Sequence, residues 1–290
     1  MAEPSSTTVV IPAFNEAGSI AAVVEGVRSV GPWREILVID DGSTDATADL
    51  ARAAGARVVS QPYNKGLGAA IKRGIRSAAG AHLLIMDGDG QHRPEDARRL
   101  VARLGDYDLV VGARPAETQA SPGRRLGNAL LNDLASRLTA HPVADLTSGF
   151  RAARTDLLRE FLHLLPNGFS SAATITLAAI KAGYSVTFEP TAARRRAGSS
   201  KIRFARDGFK FWLILLRVVT IYSPLRIFVP ISLVLLAVGV GYALWTIATE
   251  TNIADTSVLL IMLGVLVFLI GLVSDQISTL RMGERGRDAD

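Results

Sequence analysis

The first 115 residues repeat one pattern: a short run of apolar and β-branched residues, then a polar loop, then a helical pattern. We predict helices after the first four of these runs. The predicted strands cover residues 7–11, 35–39, 57–60, 82–86 and 108–111. Strands that alternate with helices are joined by crossover connections and lie parallel to one another. The sequence therefore predicts an α/β fold with a mostly parallel sheet and helices on both faces.

The pattern is looser between residues 112 and 188. A helix is predicted at residues 126–138, and a polar turn at Asp145–Arg151 precedes another predicted helix that begins at Thr155. Residues 184–188 are rich in aromatic and β-branched side chains, so we expect them to return to the edge of the sheet.

The fourth predicted strand ends in two carboxylates, Asp87 and Asp89. In parallel sheets, ligands collect beyond the carboxyl ends of the strands. In an extended stretch, residues two apart point the same way, so both carboxylates can face one divalent cation, with the amide oxygen of Gln91 next in line. Gly88 and Gly90 let the backbone approach a ligand closely. The alternative is an exposed acidic turn, which is the commoner origin of such a triplet taken alone.

Three other ligand-binding motifs do not fit the sequence. An EF-hand loop counted from Asp87 needs Gly at its sixth position and Glu at its twelfth, but His92 and Arg98 stand there. Gly66-Leu67-Gly68 invites comparison with the dinucleotide fingerprint, but Ile71 occupies the place of the third glycine. No phosphate-binding Gly-x-x-x-x-Gly-Lys-Ser/Thr loop occurs, which argues against a nucleotide hydrolase of that class.

The C-terminal part of the chain is apolar enough to enter a membrane. Mean hydropathy is +0.27, and the apolar excess lies after residue 208. Residues 227–248 and 258–274 carry no charge. Each stretch, with the second extended to residue 277, can cross about 30 Å of hydrocarbon at about 1.5 Å per residue. Buried core helices or a signal anchor are the alternative.

Charges around these stretches indicate their orientation. The link between them carries Glu250 and Asp255 but no Lys or Arg, whereas basic residues precede the first stretch and follow the second. By the positive-inside rule, both ends of the chain are expected in the cytosol. The N-terminus lacks a secretory signal, because Pro12 stops the first apolar run. The catalytic part is therefore expected to stay in the cytosol.

Much of the positive charge lies between residues 194 and 226, which hold nine Lys or Arg and one acidic residue, Asp207. Such a segment can bind nucleic acid. Beside a hydrophobic hairpin, however, we expect it to meet anionic lipid headgroups, and we expect no nucleic-acid partner. Basic side chains spaced along one face predict an amphipathic helix in the membrane interface over residues 201–224. An ordinary amphipathic core helix is the alternative.

These patterns divide the chain into three predicted segments. The cytosolic catalytic domain covers residues 1–200, the interfacial helix 201–224, and a transmembrane hairpin with a short tail 225–290. The predicted spans of the hairpin are residues 227–248 and 257–277. The chain has no cysteine, which excludes disulfides, thiolate zinc sites and cysteine nucleophiles. The sequence leaves the oligomeric state open, and a homo-oligomer is compatible with it.

Five motifs, in order, resemble those of one enzyme family. They are Val10–Glu16, Ile39–Asp45, Met86–His92, Asp145–Arg151 and Arg195–Lys201. The first three resemble glycosyltransferase family two. The last two look like its polyprenyl-phosphate branch, the dolichyl-phosphate mannosyltransferases and their bacterial undecaprenyl-phosphate counterparts. The resemblance covers residues 7–205. It implies a glycosyltransferase-A fold, a nucleotide diphosphate sugar of the GDP-mannose or UDP-glucose type as donor, a Mg²⁺ or Mn²⁺ ion, and inversion at the anomeric carbon.

Carried onto this sequence, the resemblance implies sites for a metal, a donor and an acceptor. The metal would be bound by Asp87, Asp89 and Gln91. The donor would lie beside Pro12, Ala13, Asn15, Glu16, Asp41, Lys65, Gly66, Met86, Asp87 and Gly88. The acceptor phosphate would meet Arg114, Ser148, Arg151, Arg195, Ser200 and Lys201. The residues expected to carry the transfer are Asp89, Asp145, Arg151 and Lys201, while Arg124, Arg125, Arg194 and Arg196 are expected to be solvated surface residues.

The nature of the acceptor decides whether a base is needed. A lipid phosphate is already ionised near neutral pH, so positioning and charge neutralisation suffice. A sugar hydroxyl would need a base, and Asp145 can either serve as that base or orient Arg151. Processive polysaccharide synthases typically have a Gln-x-x-Arg-Trp motif, and its absence here favours a single transfer to a lipid carrier. Transfer to a sugar hydroxyl or a diacylglycerol-type lipid, and a non-catalytic nucleotide-binding membrane scaffold, are the alternatives.

Overall fold

The computed structural model describes residues 3–115, 122–168, 170–192, 224–250, 252 and 254–287. The chain forms two compact units, Met1–Phe211 and Trp212–Asp290. The boundary between them falls outside the described residues. The predicted segment boundaries at residues 200 and 224 therefore stay predictions. So does the interfacial helix, of which only Pro224 is described.

Seven strands form one sheet in the described part of the first unit. They are β1 (Thr7–Ala13), β2 (Glu35–Asp40), β3 (Arg57–Ser60), β4 (His82–Ile85), β5 (Leu109–Ala113), β6 (Arg151–Arg154) and β7 (Val186–Pro190). Their order across the sheet is β3-β2-β1-β4-β6-β5-β7. β6 runs antiparallel to β4 and β5, and the other neighbouring pairs are parallel. The expected mostly parallel sheet is confirmed, and β7 lies at its edge as predicted.

The sequence did not reveal β6, because residues 145–151 read as a polar turn that leads directly into a helix. The strand is four residues long, and its sequence Arg-Ala-Ala-Arg has no β-branched or aromatic side chain. It forms because β4 and β5 offer a backbone ladder on both sides. Tertiary context therefore overrides a weak local preference.

Seven helices accompany the sheet among the described residues. They are α1 (Ile20–Ser29), α2 (Thr47–Ala53), α3 (Leu67–Ser77), α4 (Pro94–Ala102), α5 (Pro122–Thr139), α6 (Thr155–Glu160) and α7 (Ser171–Lys181). The first six match predicted helices. α7 was not predicted, because its residues from Ser171 to Ala179 are all buried and a helix buried on every side lacks the amphipathic period.

Alternate residues of β1 face opposite layers of helices. Val9 and Ile11 pack in the core cluster that contains buried residues of α1, α2 and α4. Val10 faces the other layer of helices, which contains α3. A Cβ added to Gly74 of α3 would lie 2.3 Å from the Cγ1 atom of Val10. Helices therefore cover both faces of the sheet, as the sequence predicts.

The strands β1 and β4 separate at their carboxyl ends. Their register runs from Thr7 opposite His82 to Val10 opposite Ile85, whereas β1 continues beside β2 as far as Ala13. Alternate residues of a strand form their backbone hydrogen bonds to opposite neighbours. Pro12 therefore faces the same neighbour as Val10, which is β4, but β4 has already ended there. Its missing N–H therefore costs no hydrogen bond there. The order of strands reverses at this point, which is where open α/β sheets bind ligands.

The second unit contains two long apolar helices, α8 (Leu225–Glu250) and α9 (Asp255–Arg287). Leu225–Thr249 and Asp255–Ser278 are each long and apolar enough to cross a membrane. Glycines let the helices approach, since a Cβ on Gly264 would lie 2.8 Å from Leu236 Cγ. Large apolar side chains such as Leu233, which is 60% exposed, cover the outer surface. These two helices match the predicted hairpin.

Gly74→Ala tests the packing of α3 on the sheet. The new methyl group would lie 2.3 Å from Val10 Cγ1 and 3.4 Å from Ile39 Cγ1. Overpacking costs about 1–3 kcal/mol, which outweighs the gain of about 1 kcal/mol from replacing Gly by Ala within a helix. We therefore expect the full-length protein in detergent to unfold several degrees below the wild type in thermal melts.

Val10→Ala provides the control for this prediction, because it removes the methyl groups that the new side chain meets. The double variant should lose less stability than the sum of the two single variants. A melting temperature of Gly74→Ala equal to that of the wild type would contradict the close packing.

Candidate active site

The loops that follow β1 and β2 are fastened to each other at the carboxyl edge of the sheet. The backbone N–H of Asn15 donates to Ser43 Oγ (3.0 Å), and the backbone N–H of Thr44 donates to the side-chain oxygen Oδ1 of Asn15 (2.8 Å). The Glu16 amide donates to Thr47 Oγ1 (2.9 Å). Asn15 has a positive φ of 53°, a conformation that Asn adopts more readily than most residues. The structure thus places Asn15 and Glu16 on the edge where the sequence predicts the donor.

The Asp41 carboxylate holds the loop that follows β3. Its Oδ1 atom accepts hydrogen bonds from Gln61 Nε2 (2.9 Å) and the Lys65 amide (2.9 Å), and its Oδ2 atom accepts one from the Gly66 amide (2.8 Å). The residue is only 3% exposed. Three donors of the chain itself therefore engage the carboxylate, and its expected contact with the nucleotide stays a prediction. Its role is to position Lys65 and Gly66.

Lys65 and Gly66 lie on the rim, as expected. Lys65 is exposed, and its Nζ atom lies 5.1 Å from the centroid of the Tyr63 ring. Gly66 has a φ of +96°, and a Cβ there would lie 2.6 Å from the carbonyl oxygen of Asn167. Only glycine fits this position.

The turn after β4 carries the two carboxylates. The strand ends at Ile85, and residues 88–90 form a turn. The backbone N–H of Gln91 donates a hydrogen bond of 3.1 Å to Asp89 Oδ1. The extended conformation that we expected for residues 87–91 is therefore wrong. The turn, rather than alternation along a strand, sets the positions of Asp87, Asp89 and Gln91.

This turn is fastened to the loop after β1. Gly88 is buried, and its carbonyl oxygen accepts a hydrogen bond of 2.8 Å from Ser19 Oγ. A Cβ on Gly88 would lie 3.3 Å from the carbonyl oxygen of Pro12. The two loops that border the crevice are thereby held at a fixed distance from each other.

Besides Asp41 and Gly88, three more residues expected beside the donor are buried. Met86 is 1% exposed and packs in the core, and its amide donates to Val10 O (3.1 Å). The side chain therefore serves the core, and the expected place of Met86 beside the donor stays a prediction. Pro12 and Ala13 are buried within β1, so their contribution is to shape the floor of the crevice.

Asp87 lies between two parts of the chain. Its Oδ2 atom is 3.3 Å from His92 Nε2, and the His92 ring stacks on Phe150 with centroids 4.5 Å apart. Burial by itself would raise the pKa of the Asp87 carboxyl. The hydrogen bond with His92 and the charges of Arg114 and Arg151 outweigh that effect and hold the pKa below its ordinary value. The carboxylate therefore stays ionised at neutral pH.

Asp145 is paired with Arg114. Arg114 Nε donates to Asp145 Oδ2 (2.8 Å), and Nη2 donates to Asp145 Oδ1 (3.1 Å) and to Thr147 Oγ1 (2.7 Å). The Asp145 side chain is 2% exposed and that of Arg114 27%. Burial would raise the pKa of Asp145, but the hydrogen bonds and charge of Arg114 hold it below its ordinary value. The arginine that Asp145 contacts is therefore Arg114, whereas Arg151 donates to other groups.

Arg151 and Ser148 are buried below the site. Arg151 Nη1 donates to Ala172 O (2.6 Å) and Thr176 Oγ1 (3.3 Å), and Nη2 donates to Ser148 O. Both Arg151 and Ser148 are 1% exposed. Burial lowers the pKa of Arg151 to about 10, although Asp145 and Asp87 act against this, so the guanidinium is charged at neutral pH. Neither residue reaches the surface here, so the expectation that they hold the acceptor phosphate stays a prediction.

The donor set at this edge suits a hard divalent cation. Among the described residues, no group of three or more His, Cys, Asp or Glu side chains could hold a metal alone. Mg²⁺ does not need such a cage, because it commonly takes one or two carboxylates from the protein and further oxygens from substrate phosphates and water. Asp87 and Asp89 are two such carboxylates, and Gln91 offers an amide oxygen.

Three expected acceptor residues, Arg195, Ser200 and Lys201, lie outside the described residues. Arg114 is the acceptor candidate that the structure places at the site. Burial would lower the pKa of Arg114, but the hydrogen bond with Asp145 and the charges of Asp145, Asp87 and Asp89 hold it above its ordinary value.

The sequence did not indicate that Gly149, Phe150 and His92 lie around Asp87. All three belong to motifs that were recognised, but no local pattern indicates that the two motifs touch. The signal that could have joined them is the antiparallel pairing of β6 with β4, which sets Arg151 opposite Ile85. Because β6 itself was not predicted, this neighbourhood was not either.

The sheet order and the carboxylates at its switch point define a glycosyltransferase-A fold. Residues 8–162 match glycosyl transferase family 2, and residues 223–280 match the GtrB C-terminal hairpin. The chain belongs to glycosyl transferase family 2, and it is a glycosyltransferase.

Two named relatives are similar to this chain. Glycosyltransferase AglJ of Haloferax volcanii is 31% identical over 99% of this chain and 98% of its own length. Undecaprenyl-phosphate 4-deoxy-4-formamido-L-arabinose transferase of Edwardsiella ictaluri is 33% identical over 54% of this chain and 51% of its own length. This chain therefore spans about half the length of the second relative.

Solved structures share the fold of the catalytic part. Glucosyl-3-phosphoglycerate synthase from Mycobacterium tuberculosis, crystallised with Mn²⁺, uridine diphosphate and phosphoglyceric acid, has a TM-score of 0.62 and 24% identity over 74% of this chain and 78% of that chain. Another complex of that enzyme contains Mg²⁺ and uridine diphosphate, with a TM-score of 0.61 and 24% identity over 73% of this chain and 79% of that chain. At this identity the likeness establishes the fold.

Asp145→Asn tests the ion pair with Arg114 through the pH dependence of stability. The folded pKa of Asp145 lies below its unfolded value of about 3.9. Its contribution to stability is therefore present above that unfolded value and is lost as the pH falls through the folded pKa. Asp145→Asn should melt several degrees lower than the wild type at pH 7, and the difference should shrink as the pH is lowered toward 3. A difference that stays constant with pH would contradict the charged pair.

Proposed function

We propose that this glycosyltransferase transfers one hexose, with inversion, from a nucleotide diphosphate sugar to a polyprenyl phosphate at the cytosolic face of a membrane. The observation that carries the proposal is the engagement of Asp145 by Arg114. Asp145, the carboxylate that could activate a hydroxyl, is held in an ion pair. More than a quarter of the Arg114 side chain is nevertheless exposed. That arrangement suits an acceptor that is already ionised.

On the donor side, Asp87, Asp89 and Gln91 are proposed to bind Mg²⁺ or Mn²⁺. When bound, the ion neutralises charge on the diphosphate leaving group. The chain itself keeps Asp87 ionised and fixes the turn that carries the other two residues. Asn15, Glu16, Lys65 and Gly66, on the neighbouring loops, are proposed to border the nucleotide.

On the acceptor side, Arg114 is proposed to bind the lipid phosphate. Asp145 and Thr147 use its Nε and Nη2 groups, whereas its Nη1 group donates to none of the described residues. The pairing therefore fixes the plane of the guanidinium and leaves part of it for a phosphate oxygen. Arg195, Ser200 and Lys201 are proposed as further phosphate contacts.

Two similarities support a lipid-linked acceptor and a membrane location. The relative from Edwardsiella ictaluri is by its name an undecaprenyl-phosphate transferase. The C-terminal match is to the GtrB hairpin, and the two apolar helices here have the length to cross a bilayer. The distribution of Lys and Arg favours both termini in the cytosol.

The product of the reaction tests the acceptor. Membranes that contain the full-length protein are incubated with radiolabelled UDP-glucose or GDP-mannose and the extracted lipids are analysed. We expect a polyprenyl monophosphate sugar, which mild acid hydrolyses because its anomeric carbon bears a phosphate. A labelled glycolipid that survives mild acid would indicate transfer to a hydroxyl and contradict the proposal.

Asp89→Ala tests the proposed metal site and separates an enzyme from a nucleotide-binding scaffold. Loss of one of two carboxylate ligands should lower the transfer rate by several powers of ten, since metal stabilisation of the leaving group is lost. Asp106→Ala is the matched control, because Asp106 is a 72% exposed surface carboxylate. Transfer by Asp89→Ala at the wild-type rate, with both variants inserted equally in membranes, would refute the metal role.

A further inference from the structure

We propose that Gly149, Phe150 and His92 form a positioning wall for Asp87, which fixes the carboxylate so that its Oδ1 atom is the one presented to the cation. The motif that contains Gly149 and Phe150 was expected to serve the acceptor. This inference gives it a second task on the donor side. It rests on the proposed metal role of Asp87.

Gly149 closes one approach to the carboxylate. A Cβ added to Gly149 would lie 3.0 Å from Asp87 Oδ1, 3.0 Å from Oδ2 and 3.3 Å from Cγ. A point at equal distance from both oxygens, and farther from the carbon between them, lies in front of the notch that separates the oxygens. A cation bound by both oxygens at once would need that notch. The Cα atom of Gly149 lies one bond from that point, so the backbone leaves little room there, which favours coordination through a single oxygen.

His92 decides which oxygen remains. Its Nε2 atom is 3.3 Å from Asp87 Oδ2 and, facing a carboxylate, acts as the donor. Among the described residues, Oδ1 has no hydrogen-bond partner. A second partner that holds a ligating group in one orientation is a common feature of metal sites, and its loss typically costs 10- to 100-fold in metal affinity.

Phe150 fixes the imidazole. The two rings are stacked, with centroids 4.5 Å apart and an interplanar angle of 24°. Phe150 is 0% exposed and is itself confined, since a Cβ on Gly112 would lie 2.9 Å from its Cδ1 atom. Packing thus passes from β5 through Phe150 and His92 to Asp87.

Within seven residues, the segment Asp145–Arg151 contacts both sides of the site. Asp145 and Thr147 hold Arg114, whereas Gly149 and Phe150 contact Asp87 and His92. One short segment therefore contacts both the guanidinium proposed for the acceptor and the carboxylate proposed for the metal.

Gly149→Ala is the most direct test. Gly149 is not among the residues with positive φ, so the substitution strains no backbone and its effect comes from the new methyl group against Asp87. We expect Mn²⁺, titrated into the full-length protein in detergent with UDP or GDP and followed by the EPR signal of the free ion, to bind about 10- to 100-fold more weakly than in the wild type. Gly168→Ala is the matched control, since no described atom lies within 4 Å of its added Cβ, and its affinity should equal that of the wild type.

Two substitutions of His92 separate hydrogen bonding from packing. His92→Phe keeps an aromatic ring against Phe150 but has no donor, whereas His92→Gln keeps an N–H near the place of Nε2 but has no ring. If the hydrogen bond positions Asp87, the Gln variant should bind Mn²⁺ more tightly than the Phe variant. If the residue serves only the core, the Phe variant should be close to wild type and the Gln variant the weaker one, which would overturn the proposal.

The readout uses no acceptor, so it is independent of the identity of the lipid. Failure of the proposed lipid acceptor would change the product assay and leave Mn²⁺ binding intact. Wild-type Mn²⁺ affinity in Gly149→Ala and His92→Phe, with thermal melts that show both to be folded, would overturn the wall. Absence of Mn²⁺ binding in the wild type would overturn it together with the metal role.

Discussion

The site depends on the point at which β4 leaves β1. The two strands pair as far as Val10 and Ile85, and β1 then continues beside β2 alone. Pro12 lies on the edge of β1 that β4 no longer covers. Because Pro12 has no N–H, β4 can end there without leaving a backbone donor of β1 unsatisfied. The chain after β4 is released into the turn that carries Asp87 and Asp89. Each neighbouring loop then has a hydrogen bond that fastens it to this turn or to the next loop.

Buried charge organises both halves of the site, in two different ways. Arg114 is paired with Asp145 and partly exposed, so its charge is held in place yet available to a ligand. Arg151 is fully buried with carbonyl and hydroxyl partners, and its charge acts at a distance on Asp87 and Asp145. Removing a charge from water is costly, and a buried cation is tolerated when hydrogen bonds and nearby carboxylates compensate it. The two arginines thus favour the ionised form of both carboxylates. Arg114 does so for Asp145 by direct contact, and Arg151 does so for Asp87 through long-range electrostatic attraction.

Local sequence patterns predicted most of the fold and the edge of the sheet at which the candidate site lies. Strands with apolar β-branched residues, such as β1 and β2, and helices that follow polar loops were predicted from their own residues. β6 and α7 were not, since the first has little β propensity and the second is buried on all sides. Their motifs did not indicate that Asp41, Met86, Asp145, Ser148 and Arg151 would be buried. In each case the residue type was suitable, but exposure and hydrogen-bond partners decide whether a polar group meets a ligand or the chain itself, and neither can be read from one motif.

The central claim is that Asp87, held by Gly149 and His92, offers one oxygen to a divalent cation beside Asp89. Anomalous scattering from Mn²⁺ in crystals of the full-length protein with UDP would locate the ion directly. The account predicts a peak within direct coordination distance of Asp87 Oδ1 and close to Asp89, with His92 Nε2 still bonded to Oδ2. A peak bound by neither carboxylate, or one that has taken Oδ2 and displaced His92, would contradict it.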